Sequence, residues 1–244
     1  MTIQNKIVAI TGAGRGIGRA TALHLAARGA HLVLGARSEA EIAAVANEIA
    51  ESGGEAVYRA TDVTERADLE ALVHLACERF RRLDVLVNNA GIGPISRFDA
   101  LRVKDWDAMI DVNLRGTLYG IAAALPVFAR QQRGHFVNVL STAGIKIVPT
   151  MGVYAATKNA LRTVTEALRQ ESGPHLRVTE VSPGFIDTSF AASITDPGVK
   201  AAVQKRKEEL AISPDAIARA VAFAIEQPDD VEIGSIVVRP TAQD

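Results

Sequence analysis

Several things are scarce in this chain, and each scarcity closes off a class of function. Cys77 is the only cysteine in 244 residues. No disulfide framework can form within one chain, as expected of a reducing compartment. Cys77 falls in a helix-like segment, residues 69–80, and reads as a small helix residue rather than a nucleophile. The 27 basic and 28 acidic side chains leave a net charge of −1, which gives no electrostatic basis for binding nucleic acid or an anionic membrane. No uninterrupted apolar run is long enough to span a bilayer. The opening Met1-Thr2-Ile3-Gln4-Asn5-Lys6 leads directly into the strand-like Ile7-Val8-Ala9-Ile10, leaving no room for a signal peptide. A soluble, cytoplasmic protein is expected. His24, His31, His74, His135 and His175 are scattered without metal-ligand spacing, so no metal site is expected. The Gly-x-Ser-x-Gly elbow of a hydrolase is missing.

Hydrophobic residues make up 48% of the chain, enough for a substantial core. Short apolar runs at 7–11, 31–35, 56–59, 85–88, 136–140, 178–182 and 236–238 read as strands. Several are near-continuously apolar, as parallel strands covered on both faces should be. Between them lie helical patterns: Ile42, Val45, Ala46 and Ile49 repeat at i, i+3, i+4, i+7, and so do Leu69, Leu72, Val73 and Ala76. This alternation predicts an α/β fold, a doubly wound parallel sheet with helices on both faces. No linker or repeat interrupts it, so residues 1–244 are expected to form a single domain. Residues 187–212 depart from the alternation. They follow Pro183-Gly184 and carry Lys205-Arg206-Lys207-Glu208-Glu209, which reads as a solvated helical face.

The first strand ends in Thr11-Gly12-Ala13-Gly14-Arg15-Gly16-Ile17-Gly18. Gly12, Gly16 and Gly18 lack β-carbons where a strand turns into a helix, so backbone can approach a pyrophosphate and the helix N-terminus favours its charge. No Gly-Lys-Ser/Thr follows, which excludes a P-loop. An NAD-specific protein usually has a carboxylate near the end of its second strand to hold the ribose 2′-hydroxyl. Here that strand ends Gly35-Ala36-Arg37-Ser38. Arg37 and Arg15 can converge on a 2′-phosphate, and Ser38 with Glu41 forms a capping-box pattern whose helix N-terminus adds N–H donors. NADP(H) is therefore expected.

Tyr154 and Lys158 stand four residues apart, and Ser141 precedes the tyrosine by thirteen. A helix starting near Gly152 places Tyr154 and Lys158 on one face. Together with the glycine segment, this set resembles the short-chain dehydrogenase/reductase family, from about residue 6 to residue 238. The resemblance implies a Rossmann-type sheet and an oxidoreductase that moves a hydride between NADP(H) and a small carbonyl or alcohol substrate. It implies a proton relay of Asn113, Ser141, Tyr154 and Lys158, in which the neighbouring ammonium lowers the tyrosine pKa. It also implies cofactor contacts from Gly14 and Ile17 in the glycine turn, from Asp62-Val63 and Asn89-Ala90-Gly91, and from Pro183, Gly184, Ile186 and Thr188. Residues 187–212 would cover the substrate.

Candidate wall residues are Ile92, Pro94, Ile95, Ile145, Val148, Met151, Phe185, Ile186 and Phe190. Lys146 reads as solvated, with a substrate carboxylate as the alternative partner. Trp106 is expected to pack through Met109 and Ile110. Residues 234–242, Gly-Ser-Ile-Val-Val-Arg-Pro-Thr-Ala, lack the Gly-Gly pair of many relatives. That ending resembles the subgroup of 3-hydroxy acid dehydrogenases and clavulanate-type aldehyde reductases. Small residues on helices 106–130 and 152–171 suit the helix pairing that the resemblance implies, in a homotetramer, with a dimer as the alternative. The alternative reading is a catalytically silent nucleotide-binding regulator on the same fold.

Overall fold

A computed structural model of the chain describes residues 2–243. Its seven strands are β1 (Ile7–Thr11), β2 (His31–Ala36), β3 (Glu55–Ala60), β4 (Val85–Asn88), β5 (Gly134–Val139), β6 (Leu176–Pro183) and β7 (Ser235–Val238). They form one sheet in the order β3-β2-β1-β4-β5-β6-β7, parallel throughout. The helices are α1 (Gly16–Ala26), α2 (Glu39–Glu51), α3 (Arg66–Phe80), α4 (Val103–Met109), α5 (Gly116–Gln131), α6 (Gly152–Glu171), α7 (Pro197–Leu210) and α8 (Asp215–Glu226).

The strand alternation feeds two cores. Val8 and Ile10 of β1 join Leu32, Leu34 and the inner faces of α1, α2 and α8. Ile7 and Ala9 point the other way, to Phe136 and the inner faces of α3 and α5. Both helical repeats read from the sequence are buried: Ile42, Val45, Ala46 and Ile49 on α2, and Leu69, Leu72, Val73 and Ala76 on α3. Phe128 and Phe136 meet edge to face at 4.9 Å in the second core, worth about 0.5–1.5 kcal/mol beyond their burial. The strand order reverses between β1 and β4, and the carboxyl ends there frame a crevice.

Two features differ from expectation. Helix α4, a widened turn at Ile110–Arg115 and α5 run on as one 29-residue helix, Val103–Gln131, which by length and composition alone could cross a membrane. In the sequence, Asp105, Asp107, Asp111 and Arg115 break up its apolar character. Its Ala124, Val127 and Phe128 pack on the sheet. Trp106 shares a cluster with Met109 but meets Phe98 edge-on at 5.8 Å, while Ile110 is exposed.

Candidate active site

The glycine turn is built by close approach. Gly12 and Gly16 have φ of +65° and +54°, in the left-handed region that favours glycine. A Cβ on Gly18 would lie 2.2 Å from the Gly12 carbonyl oxygen, so no other residue fits. Thr11 Oγ1 accepts from the backbone N–H groups of Asn89 and Ala90 at 3.0 and 3.1 Å, and Asn89 Nδ2 donates to the Thr11 carbonyl at 2.9 Å. These bonds sew the β1 turn to the loop after β4. No side chain caps the N-terminus of α1, which leaves its N–H groups to an anion. A cradle that a Cβ would fill, closed by a bare helix N-terminus, fits a dinucleotide pyrophosphate.

At the far end of this cleft Ser38 caps α2, its hydroxyl accepting from the Glu41 N–H at 3.4 Å. Arg15 and Arg37 are exposed on the cleft wall, and among the described residues neither forms an ion pair. Asp62 Oδ1 accepts from the backbone and hydroxyl of Thr64 at 2.9 and 2.8 Å, which fixes the turn that presents Asp62 and Val63.

The other end is desolvated. Tyr154 and Lys158 are 8% and 4% exposed on the inner face of α6. Lys158 Nζ donates to the Val139 carbonyl at 2.9 Å and lies 6.0 Å from the centre of the Tyr154 ring. Burial pushes the tyrosine up to about 12, opposed by its hydrogen bond with the Ser141 side chain. Burial also pushes the lysine down to about 8. The expected lowering of the tyrosine by its neighbour does not show here: loss of water outweighs the Ser141 hydrogen bond. Ser141 caps a short turn, its hydroxyl accepting from the Ala143 N–H at 3.1 Å.

Asn113 sits in the widened turn and is fully buried. Its side chain accepts from the Ile92 N–H at 2.8 Å and donates to the Ile92 carbonyl at 2.9 Å and to Thr157 Oγ1 at 3.2 Å. Local widening of a helix often marks a functional position. Gly91 lies between the two groups: a Cβ there would sit 3.4 Å from Asn113 Oδ1 and 3.5 Å from Lys158 Nζ.

One cavity of about 1150 Å³ gathers nearly all the expected residues, including Gly14, Ile17, Pro183, Gly184, Ile186 and Thr188. Gly18 and Asn113 lie beneath its floor rather than on it. Most of the expected wall lines it, but Pro94 does not, and Ile95 is a core residue packed with Met109 and Tyr154. Phe190, from the 187–212 segment, meets the Tyr154 ring edge-on at 5.3 Å. Lys146 shares the rim with Arg206, Lys207 and Arg239; Lys207 pairs with Asp187 at 2.8 Å. Sequence reasoning missed Arg239 and Gln243, which reach the cavity from beyond β7. The missing Gly-Gly pair was the one signal there.

Sheet and cleft together define a nucleotide-binding oxidoreductase of the doubly wound type. The short chain dehydrogenase profile matches residues 6–198. An uncharacterised oxidoreductase of Listeria monocytogenes is 44% identical over 246 residues, spanning 100% of this chain and 99% of the relative. Among solved structures, an alcohol dehydrogenase of the archaeon Thermococcus sibiricus complexed with 5-hydroxy-NADP is 34% identical, covers 99% of both chains and has a TM-score of 0.88. A short-chain dehydrogenase/reductase of Burkholderia phymatum in complex with NAD is 26% identical, with 97% and 90% coverage and a TM-score of 0.89. The chain belongs to the short-chain dehydrogenase/reductase family.

Proposed function

We propose that the protein is an NADP(H)-dependent enzyme interconverting a carbonyl compound and its alcohol. One observation carries the reading: the desolvated Tyr154 and Lys158 share with Ser141 the same cavity that the glycine turn opens. When bound, the nicotinamide supplies the hydride for reduction or accepts it in oxidation. The chain's own residues handle the proton. Tyr154, at about 12, is a phenol at neutral pH and donates to the alkoxide oxygen as it forms. Ser141 hydrogen-bonds the carbonyl oxygen and stabilises its developing charge. Lys158, at about 8, is still an ammonium at neutral pH and offsets the charge left on the phenol oxygen. Asn113 holds the floor beneath the lysine, where a water extends the relay to solvent.

Arg15 and Arg37, without ion-pair partners among the described residues, and the absence of a carboxylate at the end of β2 support NADP(H) over NAD(H). The Thermococcus relative, complexed with an NADP derivative, agrees with that choice. Apolar walls from Ile145, Val148, Met151 and Phe190 suit a substrate with an apolar body, and the ending after β7 keeps the 3-hydroxy acid dehydrogenase and aldehyde reductase subgroup as the nearest type. We read residues 1–244 as one catalytic domain with 187–212 as its lid.

Exposed Ile110 and Leu118 on the long helix, together with Ala122 and Ala156, support pairing of α5 and α6 across two-fold axes in a homotetramer. Sedimentation at micromolar concentration tests the assembly, and a clean monomer refutes it. Loss of NADPH absorbance with a panel of ketones, aldehydes and oxo acids tests the activity. Tight nucleotide binding with no turnover of any of them would favour the silent regulator instead.

A further inference from the structure

We infer that Gln243 is a positioning residue that fixes the spacing of the two loops flanking the reacting centre; the inference rests on the reductase reading. After β7 the Gln243 N–H donates to the Pro240 carbonyl at 3.0 Å, and Pro240 is buried. This turn sends the Gln243 side chain back into the main cavity. There Oε1 accepts from the Phe185 N–H at 2.8 Å, and Nε2 donates to Thr142 Oγ1 at 3.2 Å. Thr142 follows Ser141, and Phe185 follows Pro183-Gly184. One amide therefore ties the proton-relay loop to the loop after β6.

The tie sits where the sheet forks. The last backbone bond between these two strands runs from the Leu140 N–H to the Val181 carbonyl, 2.7 Å. Beyond it, among the described residues, Gln243 is the one hydrogen-bonded bridge between loops 141–146 and 183–188. Its polarity is dictated by its partners. A backbone N–H can only donate, so the amide oxygen faces Phe185 and the amino group faces Thr142. Room for it is made at Gly184, where a Cβ would lie 2.2 Å from Gln243 Oε1 and 2.7 Å from the Arg239 Cβ. A displacement of about 1 Å between reacting groups can cost about 100-fold in rate. A bridge across the fork is thus placed to act on turnover while touching no reacting atom.

Two variants separate positioning from bulk stability. Gln243→Met keeps the length and loses both bonds. Gln243→Glu keeps both, because a carboxylate accepts from the Phe185 N–H and the Thr142 hydroxyl can turn to donate. For each, kcat, KM and the primary isotope effect with deuterated NADPH are measured, along with hydrogen exchange at the Phe185 amide in the protein alone. Gln243→Met is expected to lower kcat roughly tenfold, to raise the isotope effect, and to leave KM for NADPH nearly unchanged. Exchange at Phe185 should quicken by about tenfold, the loss of one partly buried hydrogen bond. Gln243→Glu should restore the protection and most of the turnover. Wild-type kcat and isotope effect in Gln243→Met overturn the inference, and so does a variant whose only change is a lower melting temperature. Exchange needs no substrate, so the two readings fail separately. A wild type that reduces nothing removes the reductase; unchanged Phe185 exchange in Gln243→Met removes the bridge.

Discussion

The Lys158 amine and the Val139 carbonyl are joined by a 2.9 Å hydrogen bond that pins α6 to the end of β5. Burial brings this lysine from 10.5 to about 8. Between those values the unfolded chain still holds the proton and the folded one does not. Folded stability therefore rises with pH across that window, and below about pH 8 the cost of a buried charge is fully present.

Lys158→Met removes that titration. Relative to the variant, wild type should gain stability between pH 8 and 10.5, by on the order of 3 kcal/mol. Urea unfolding of both proteins at pH 7 and pH 10.5 checks the sign. A constant difference between them would mean that Lys158 titrates normally in the fold.

In the proposed relay the same groups set the kinetics. Carbonyl reduction should fall as pH rises through about 8, where Lys158 loses its charge, while Tyr154 keeps its proton to about 12. Tyr154→Phe should lower kcat by about 10²–10⁴ and leave the Kd for NADP+ close to wild type, since the ring carries no phosphate contact. Near-normal turnover in Tyr154→Phe rules out this relay.

Asn113 carries a structural load that the family resemblance did not announce. Its side chain satisfies both the N–H and the carbonyl of Ile92. Asn113→Ala orphans both groups in a partly buried place and should cost about 1–3 kcal/mol. Chemical denaturation measures this directly. A loss under about 0.5 kcal/mol would show that water replaces the amide at no net cost.

All seven strands were legible, each to within two residues, because their apolar runs are bounded by turns and separated by helices of clear period. That the glycine turn, Ser141, Tyr154 and Lys158 share one cavity was legible, because their spacing follows the strand-to-helix turns that deliver them there. The widened turn around Asn113 was hidden, since one extra residue in a helical turn barely disturbs an apolar pattern. Ile95 looked like a wall residue because composition cannot distinguish a cavity lining from the core beneath it. Gln243 was out of reach: its partners lie 58 and 101 residues away, and only the folded chain brings them together.

In the proposed reading, cofactor choice turns on two exposed side chains. If Arg15 and Arg37 hold a 2′-phosphate, wild type should bind NADPH at least about tenfold tighter than NADH, a difference of one charge-assisted contact. Replacing both with Ala should erase the preference while leaving NADH affinity nearly constant. Equal affinities in wild type reject the assignment, whatever the double variant does.

The proposed lid, residues 187–212, makes the last prediction. Its ends are zipped: the Asp187 N–H donates to the Ile212 carbonyl at 2.9 Å, and the Ile212 N–H donates to the Phe185 carbonyl at 3.1 Å. Between them, α7 has no fully buried residue and packs only through the partly buried Val199 and Val203 on the cluster around Tyr154. Before α7, Ala191 and Ile194 are buried in that cluster, and Phe190 reaches the reacting centre: its ring meets Tyr154 edge-on, and a Cβ on Gly93 would sit 2.0 Å from its Cζ. The segment should therefore hinge at its ends and latch through Phe190. Amides of α7 are expected to exchange fast in the protein alone and to slow when cofactor and substrate are both present. Those of Asp187 and Ile212 should stay slow throughout. Phe190→Ala should prevent the slowing in α7 while the hinge amides remain protected. Strong protection of α7 in the protein alone, unaltered by ligands, would mean that the segment is a fixed wall and not a lid.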